Sequence, residues 1–294
     1  MNKTIKSKLN LFNIAIFIVL VLYCLTMISV LMWGLFTSLK TVDDFYSNKV
    51  FLPSGAPWEW AWSNYSYVFK NFKVTSGTAK YGMDVLIFNS LAYAGGGSLI
   101  ECFSMCTVAY MVAKYKFKFS KCVYIFVVIT MVVPVIGSTP SMLLLWKRVG
   151  LYGTFLSVYI MKFHFLGMYF LVFYSIFQGI SSGFSEAAKI DGASEFTIMF
   201  KINFPLITPT FLTVFLILFI SMWNNYQDVI IYLPKHPTLA YSVYHMAYRE
   251  RNAQFAYETF RLTSCMILAV PMIVLFIIFR NKIMGNVTMG GVKE

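Results

Sequence analysis

The sequence predicts an all-α polytopic membrane protein with six membrane-spanning helices. Of its 294 residues, 59% are hydrophobic and only 12% are charged, whereas a soluble domain carries about 25% charged residues. Apolar runs of about 20 residues recur along the chain, and a helix of that length crosses about 30 Å of hydrocarbon. The short alternating segments that are typical of a membrane β-barrel are absent from the sequence.

The predicted spans form a single transmembrane domain that covers residues 1–294. The first span follows Lys3, Lys6 and Lys8 and has no small-residue cleavage site after it, which indicates an uncleaved anchor. An even number of spans places both termini on the same side of the membrane. The six predicted spans cover residues 11–35, 85–112, 122–146, 155–177, 206–232 and 262–279.

The net charge of +12 is best explained by membrane topology. In a soluble protein such a charge would favour nucleic acid as a partner, but no soluble domain interrupts the spans. Between the second and third spans, residues 114–121 hold four lysines and no acidic residue. Because short basic loops stay in the cytoplasm, this loop and the basic N-terminus predict that both termini are cytoplasmic.

The sequence predicts no bond chemistry in this chain. All five cysteines lie in or beside predicted spans, which favours packing over disulfide bonds, and the three histidines are too dispersed to nominate a metal site. The chain has no G-x-x-x-x-G-K-[ST] phosphate loop, so it is not predicted to hydrolyse ATP. An H-E-x-x-H zinc motif is absent as well, which argues against a membrane-embedded enzyme.

A polar island at residues 183–205 stands between the fourth and fifth spans. Its residues 186–189, EAAK, favour a helix, Asp-Gly at 191–192 breaks that helix, and Ser194 is a suitable cap for a second one. We expect Pro205 to end the second helix, because the residue before a proline is disfavoured in the helical region. The island is therefore predicted to be a helix–turn–helix to which another protein can bind.

This island resembles the EAA loop of ABC-importer permeases, most closely that of carbohydrate importers of the maltose and glycerol-phosphate type. The pattern E-A-A-x-x-D-G-A and the later proline match, with Phe204 where the family usually has leucine. In that family the loop is the coupling helix, which sits in a cleft of a cytoplasmic ATPase subunit. The residues that the resemblance assigns to ATPase coupling are Glu186, Ala187, Ala188, Asp191, Gly192, Ala193 and Pro205.

The resemblance covers nearly the whole chain and implies its partners. It predicts a permease subunit that forms half of a translocation path, together with a second homologous permease, two ATP-binding subunits and an extracytoplasmic sugar-binding protein. It implies no cofactor in this chain, with ATP and Mg²⁺ bound by the partner ATPase, and a location in the bacterial plasma (inner) membrane. Further matching positions are 37–40, 64–65, 89–91, 109–110, 223–224, 238–239 and 290–293.

Charged residues within the predicted spans are candidates for the translocation path. Glu101 and Lys162 fall at such positions, with His164 nearby, and an unpaired charge there costs about 2.5–3.5 kcal/mol. They either line the path or serve a purely structural purpose, as an ion pair or a lysine that reaches the interface. At 1.5 Å per residue, Glu101 and Lys162 differ in depth by about 12 Å, so we expect no direct pairing between them.

The end of the predicted fifth span is a second candidate for substrate contact. Rings and amides together suit a sugar, because rings stack on its C–H face while amides bond its hydroxyl groups. The same residue types also form aromatic belts at membrane interfaces, and both interpretations stay open. The residues concerned are Trp223, Asn224, Asn225 and Tyr226.

An ion-coupled secondary transporter that acts without ATPase partners is the alternative function. That class usually shows internal repeats and discontinuous spans around an ion site at the membrane midplane, and no convincing repeat is present in this sequence. Uptake that is abolished by an ionophore and indifferent to ATP would favour this alternative.

Overall fold

The computed structural model describes residues 11–76, 79–115, 117–133, 137–249 and 253–287, and most of them are helical. The all-α class predicted from the sequence is therefore confirmed. The α-helices of the described residues are α1 (Leu11–Ser38), α2 (Val42–Ser47), α3 (Ser63–Asn71), α4 (Met83–Leu91), α5 (Gly97–Lys114), α6 (Ser120–Val132), α7 (Ser138–Val149), α8 (Phe155–Lys162), α9 (Met168–Gly179), α10 (Gly183–Ile190), α11 (Glu195–Thr197), α12 (Phe204–Trp223), α13 (Gln227–Tyr232), α14 (Leu239–Tyr248) and α15 (Glu258–Val287). Strands β1 (Val74–Ser76) and β2 (Ala79–Tyr81) pair antiparallel, and Ala253–Ala256 is a 3-10 turn.

Two compact units make up the described part of the chain. The first unit holds the described residues of Met1–Phe72 and Met246–Ala269, and the second holds those of Lys73–His245 and Val270–Glu294. Helices α1 to α3 belong to the first unit, whereas α4 to α13 all belong to the second. The second unit therefore contains the polar island and every residue proposed for the path.

In the first unit, side chains of α3 hold the C-terminal end of α1. The Asn64 amide donates to the carbonyl oxygens of Ser38 at 2.9 Å and Lys40 at 2.8 Å. The hydroxyl groups of Ser38 and Tyr65 are hydrogen-bonded at 2.7 Å. The bond from Asn64 to Ser38 satisfies one of the backbone carbonyls that a helix leaves free at its C-terminus. These contacts also join two of the sequence positions, 37–40 and 64–65, that carry the family resemblance.

In the second unit, α5 lies at the centre and packs against α8, α9 and α12. Small and flexible side chains of α5 face aromatic rings of α9, and the buried thiols pack as small apolar groups, as the sequence predicts. The buried core residues of these helices include Cys102, Met105, Cys106, Ala109, Phe170, Phe173, Phe177, Ile207, Val214 and Leu218.

The helix α4 also fastens the segment before α14. The buried Asn89 amide donates to the carbonyl oxygen of Pro237 at 2.9 Å. The N–H of Leu239 donates to the Ser90 hydroxyl at 2.7 Å. Positions 89–91 and 238–239, which also carry the family resemblance, are therefore in direct contact.

Four helical segments of the described chain are long and apolar enough to cross a membrane. They correspond to the predicted first, second, fifth and sixth spans. At the third and fourth places the chain forms pairs of shorter helices, α6 with α7 and α8 with α9. A total of six spans is compatible with these helices and stays a prediction. The four long segments are Phe12–Ser38, Met83–Lys114, Glu195–Trp223 and Glu258–Phe279.

Pro205 does not end the second helix of the polar island, so that prediction was wrong. Helix α11 continues through a π-helical turn, Ile198–Asn203, into α12, and Phe204 keeps helical angles of φ −63° and ψ −45°. The N–H of Phe204 donates to the carbonyl oxygen of Met199, five residues earlier. We attribute the tolerance of Pro205 to this wider turn, which relieves the clash between the ring and the preceding turn.

A second π-helical turn, Ala92–Gly96, brings glycines against two other helices. A Cβ atom on Gly96 would lie 2.5 Å from the hydroxyl oxygen of Tyr159, and one on Gly97 would clash with Cε of Met222. The Tyr159 hydroxyl donates to the carbonyl oxygen of Ala92 at 2.8 Å. These glycines allow the close approach of helices that is typical of membrane bundles.

Gly96→Ala is expected to lower the thermal stability of the purified protein. The added methyl group must displace the ring and hydroxyl of Tyr159, and overpacking of this kind costs about 1–3 kcal/mol. Gly179→Ala is the matched control, because no atom lies within 4 Å of a Cβ at that position. Thermal unfolding in detergent, followed by tryptophan fluorescence, measures both variants. Equal melting temperatures for the two variants would contradict the tight packing at Gly96.

Candidate functional site

The polar island folds as an exposed helical hairpin, which we call the coupling segment (residues 183–203). It begins with α10, turns at residues 191–194 and continues through α11 and the π-helical turn. No residue of α10 is buried, and the apolar side chains of Ile190 and Phe196 are 87% and 76% exposed. These two side chains flank the turn of the hairpin, and the described part of the chain leaves most of their surface uncovered.

The turn of the coupling segment is built around Gly192, whose φ is +79°. The N–H of Ala193 donates to the carbonyl oxygen of Ala188 at 2.9 Å, which closes α10 with a left-handed C-cap. Ser194 caps α11 by accepting from the Thr197 N–H at 3.3 Å, as the sequence predicts. A Cβ on Gly192 would meet no atom within 4 Å. The backbone conformation therefore favours glycine here, and packing within the chain does not require it.

The seven residues predicted to couple to an ATPase lie on this hairpin or directly after it. Four are exposed on the hairpin, two alanines are half-buried, and the proline is exposed in the first turn of α12. The exposed residues of the hairpin are Glu186, Ala187, Asp191 and Gly192, the half-buried alanines are Ala188 and Ala193, and the proline is Pro205. The fold thus places all seven within one short segment, and their role in coupling stays a prediction.

A polar network that the sequence did not reveal joins the coupling segment to α5 and the residue after it. Oε1 of Glu195 is 2.6 Å from Nζ of Lys189, and Oε2 of Glu195 accepts from the Tyr115 hydroxyl at 2.6 Å. The fully buried Asn203 directs its amide nitrogen to the Tyr110 hydroxyl at 3.5 Å. No local pattern could have indicated the contact between Tyr115 and Glu195, because 80 positions separate them.

Lys189 and Tyr115 keep their hydrogen-bonding forms at neutral pH. The hydrogen bond to Glu195 raises the pKa of the Lys189 ammonium group above its usual range. Burial raises the pKa of the Tyr115 hydroxyl, and its hydrogen bond to Glu195 raises that pKa further. Lys189 therefore remains a cation, and Tyr115 remains a hydrogen-bond donor.

Glu101, Lys162 and His164 meet in one cluster, which corrects the predicted separation of Glu101 from Lys162. Nζ of Lys162 is 3.6 Å from Oε2 of Glu101, and Nε2 of His164 is 3.7 Å from Oε1 of Glu101. The depth estimate failed because it assumed two straight spans. Helix α8 ends at Lys162, and residues 163–167 run irregularly before α9 begins. The long lysine side chain covers the remaining distance.

The cluster is only partly buried, with side-chain exposures of 13% for Glu101, 23% for Lys162 and 39% for His164. The separations of 3.6 and 3.7 Å exceed those of direct hydrogen bonds, so Glu101 and Lys162 attract each other without being locked together. Among the described residues, the buried Nδ1 of His164 has no hydrogen-bond partner. The cluster therefore has spare capacity to bind water or a polar solute.

The cluster offers too few ligands to hold a metal ion. Its metal-binding side chains are Glu101 and His164. Over the described ranges, no group of three or more His, Cys, Asp or Glu residues is placed to bind one.

Gly97 connects the cluster to the end of α12. A Cβ at Gly97 would lie 3.8 Å from Cγ of Lys162 and would clash with Cε of Met222, so both side chains pack against this glycine. The next residue, Trp223, stacks on Phe219 with ring centroids 5.7 Å apart. Trp223 is only 2% exposed, so its ring faces are covered by the protein in this conformation.

Asn224, Asn225 and Tyr226 form a break between α12 and α13, where the sequence predicts a continuous span. The Asn225 amide donates to Oδ2 of Asp228 at 2.8 Å, and its Oδ1 accepts from the Asp228 N–H at 3.0 Å. Tyr226 stacks on Tyr244 with centroids 4.9 Å apart. Of the four residues predicted to contact sugar, Asn224 is the exposed one.

The chain is similar to known transport proteins in sequence and in fold. The model of the family described as binding-protein-dependent transport system inner membrane component matches residues 105–287. The melibiose/raffinose/stachyose import permease protein MelC of Bacillus subtilis (strain 168) is 23% identical over 259 residues, which cover 87% of this chain and 88% of MelC. A crystal structure of a bacterial ABC transporter involved in the import of the acidic polysaccharide alginate matches with a TM-score of 0.77 and 21% identity, and covers 92% of this chain and 95% of the matched chain.

Proposed function

Because this chain belongs to the family of binding-protein-dependent transport system inner membrane components, we propose that it is one permease subunit of an ATP-driven carbohydrate importer. The observation that carries the proposal is the family match over residues 105–287, which include the whole coupling segment. Family membership makes the chain a membrane permease and not an enzyme. The carbohydrate class is supported by the sugars named for MelC and by the alginate importer.

The coupling segment is the proposed docking site for a cytoplasmic ATPase subunit. No residue of its α10 is buried, and small side chains at Ala187 and Ala188 let a partner surface approach closely. The open space around Gly192 leaves the turn accessible to that partner. Movement of the docked ATPase would then displace α9 and α12, which adjoin the segment at its two ends, as a rigid-body tilt.

Glu101, Lys162 and His164 are proposed to line the translocation path. Their partial exposure and the unpartnered Nδ1 of His164 support this role. Asn224 is the proposed sugar contact at the end of α12, together with Asn225. Trp223 and Tyr226 belong to the same proposed set, but their rings stack on protein side chains and would have to move before they contact a sugar.

The importer is proposed to contain a second homologous permease, two ATP-binding subunits and an extracytoplasmic sugar-binding protein. ATP and Mg²⁺ would bind to the ATP-binding subunits. The chain itself is a multi-pass inner-membrane protein. Both termini and the coupling segment are proposed to face the cytoplasm, because the basic loop at residues 114–121 follows the positive-inside rule.

Purification of the tagged full-length chain from its native membrane tests this assembly. We expect a second permease in equal amount and an ATPase in a copy number equal to that of the two permeases combined. In proteoliposomes supplied with the native binding protein, uptake should require ATP and resist a protonophore. Solute movement by the chain alone, driven by an ion gradient, would overturn the proposal and establish the secondary transporter.

Competition for uptake tests the substrate class in the same proteoliposomes. Unlabelled oligosaccharides, neutral and uronate-containing, should reduce the uptake of labelled solute captured by the binding protein. Amino acids and short peptides should have no effect. Competition by amino acids or peptides alone would contradict the carbohydrate class while leaving the permease assignment intact.

A further inference from the structure

Glu195 joins two parts of the second unit that are distant in sequence. Its carboxylate contacts Lys189 of α10 through Oε1 and the Tyr115 hydroxyl through Oε2, both at 2.6 Å. Lys189 lies before the turn of the coupling segment, Glu195 lies after it, and Tyr115 follows directly after the last residue of α5. One carboxylate therefore holds the two arms of the hairpin together and attaches them to the end of α5.

Asn203 provides a second attachment at the base of the hairpin. Its amide nitrogen donates to the Ile198 carbonyl at 3.2 Å and reaches the hydroxyl oxygens of Ser185 at 3.4 Å and Tyr110 at 3.5 Å. Tyr110 packs its ring edge-on against Tyr115, with centroids 5.8 Å apart. Both attachments therefore converge on the same end of α5.

The opposite end of α5 carries the charged cluster. Glu101 and Tyr110 are nine positions apart on this helix, which corresponds to about 14 Å of axial rise. Between them the helix is tightly packed, because Cys102, Cys106 and Ala109 are fully buried. A packed helix of this length moves as one body when its end is displaced.

We propose that Glu195 is a positioning residue that fastens the coupling segment to α5, so that movement of the segment is passed directly to the helix that carries Glu101. This inference rests on the proposed function. The covalent connections of the coupling segment lead only to α9 and α12. The contact between Glu195 and Tyr115 adds α5, the central helix of the second unit, to the elements that the segment moves.

The exposure of the attachment makes it suitable for mutation. Lys189 and Glu195 have side-chain exposures of 52% and 51%, and exposed ion pairs contribute little to stability. Loss of this pair should therefore leave the folded chain and its abundance unchanged. A docked partner would exclude water from the pair and strengthen it, at the stage where force is transmitted.

The experiment compares Tyr115→Phe and Glu195→Gln with the wild type in the complete importer. Tyr115→Phe keeps the ring and removes one hydrogen bond, and Tyr124→Phe is the matched control, because its hydroxyl makes no hydrogen bond within the described residues. The readout is the number of solute molecules transported per ATP hydrolysed. We expect this ratio to fall about fivefold or more in both variants, at the lower end of known couplings between sites, while ATPase co-purification stays normal.

The double variant Tyr115→Phe/Glu195→Gln adds a further constraint. If both changes remove the same connection, the transport ratio of the double variant should be no lower than that of the more severe single variant. An unchanged transport ratio in both single variants would overturn the inference. A reduced amount of complex with an unchanged ratio per complex would overturn it too, since that outcome indicates a structural role only.

The outcomes also separate this inference from the proposed function. If the ATPase co-purifies and uptake requires ATP, but the ratio is unaffected by Glu195→Gln, only the positioning role fails. If no ATPase binds the wild-type chain, the proposed function fails first and the positioning role fails with it.

Discussion

Gly192→Asp is expected to abolish uptake while the chain still folds and inserts into the membrane. Within the chain the change is mild, because no atom lies within 4 Å of a Cβ there and aspartate tolerates the left-handed region at a cost of about 1–2 kcal/mol or less. The large effect is expected in the complex, where a charged side chain would stand between the turn and the ATPase surface. Uptake, membrane abundance and ATPase co-purification are measured on the same cells.

Gly150→Asp is the matched control for this prediction. Gly150 has φ +77° at the C-terminal cap of α7, and no atom lies within 4 Å of a Cβ there either. The same substitution in the same backbone conformation should leave uptake near normal. Normal uptake by Gly192→Asp at normal abundance would contradict the docking role. The docking role would also be contradicted if an impermeant thiol reagent, applied outside the cell, labelled a cysteine introduced at Ile190.

Glu101→Gln is expected to reduce both assembly and uptake, whereas Glu101→Gln combined with Lys162→Met restores assembly alone. The single change leaves Lys162 unpaired among the spans, at a cost of about 2.5–3.5 kcal/mol. The double change removes both charges, so no unpaired charge is left within the spans. If the cluster lines the path, uptake per assembled complex should remain about tenfold below the wild type, which corresponds to about 1.4 kcal/mol.

The exchanged pair, Glu101→Lys with Lys162→Glu, serves as the control for this experiment. A purely structural ion pair tolerates the exchange, because the attraction between the two side chains is preserved. If solute binding in the path depends on which position carries each charge, the exchange is not tolerated. Uptake should then stay low although assembly is normal. Full uptake by the neutral double variant would assign the cluster to structure and remove it from the path.

The local structure of the coupling segment was predictable from its sequence. A helix-forming run, an Asp-Gly break and a capping serine act over a few residues, and the hairpin at residues 183–203 follows them. The assignment of Pro205 as a helix end failed because that rule holds for α-helical geometry. No sequence pattern used here predicts a π-helical turn such as Ile198–Asn203.

Contacts between distant residues were not predictable in the same way. The pairing of Glu101 with Lys162 depends on the break in the fourth predicted span, and a hydropathy count treats that span as continuous. The contact of Tyr115 with Glu195 depends on how the end of α5 lies beside the coupling segment. Both contacts result from tertiary packing, which a single sequence does not encode in any local pattern.

Because the helix continues through Pro205, it can move as a single rigid lever. Glu195–Trp223 contains 29 residues, a length of about 43 Å at 1.5 Å per residue. A tilt of about 5° around its N-terminal end would move Trp223 and Asn224 sideways by about 4 Å over that length, roughly the width of a sugar ring. A hinge at Pro205 would have absorbed such a tilt before it reached the far side of the bilayer.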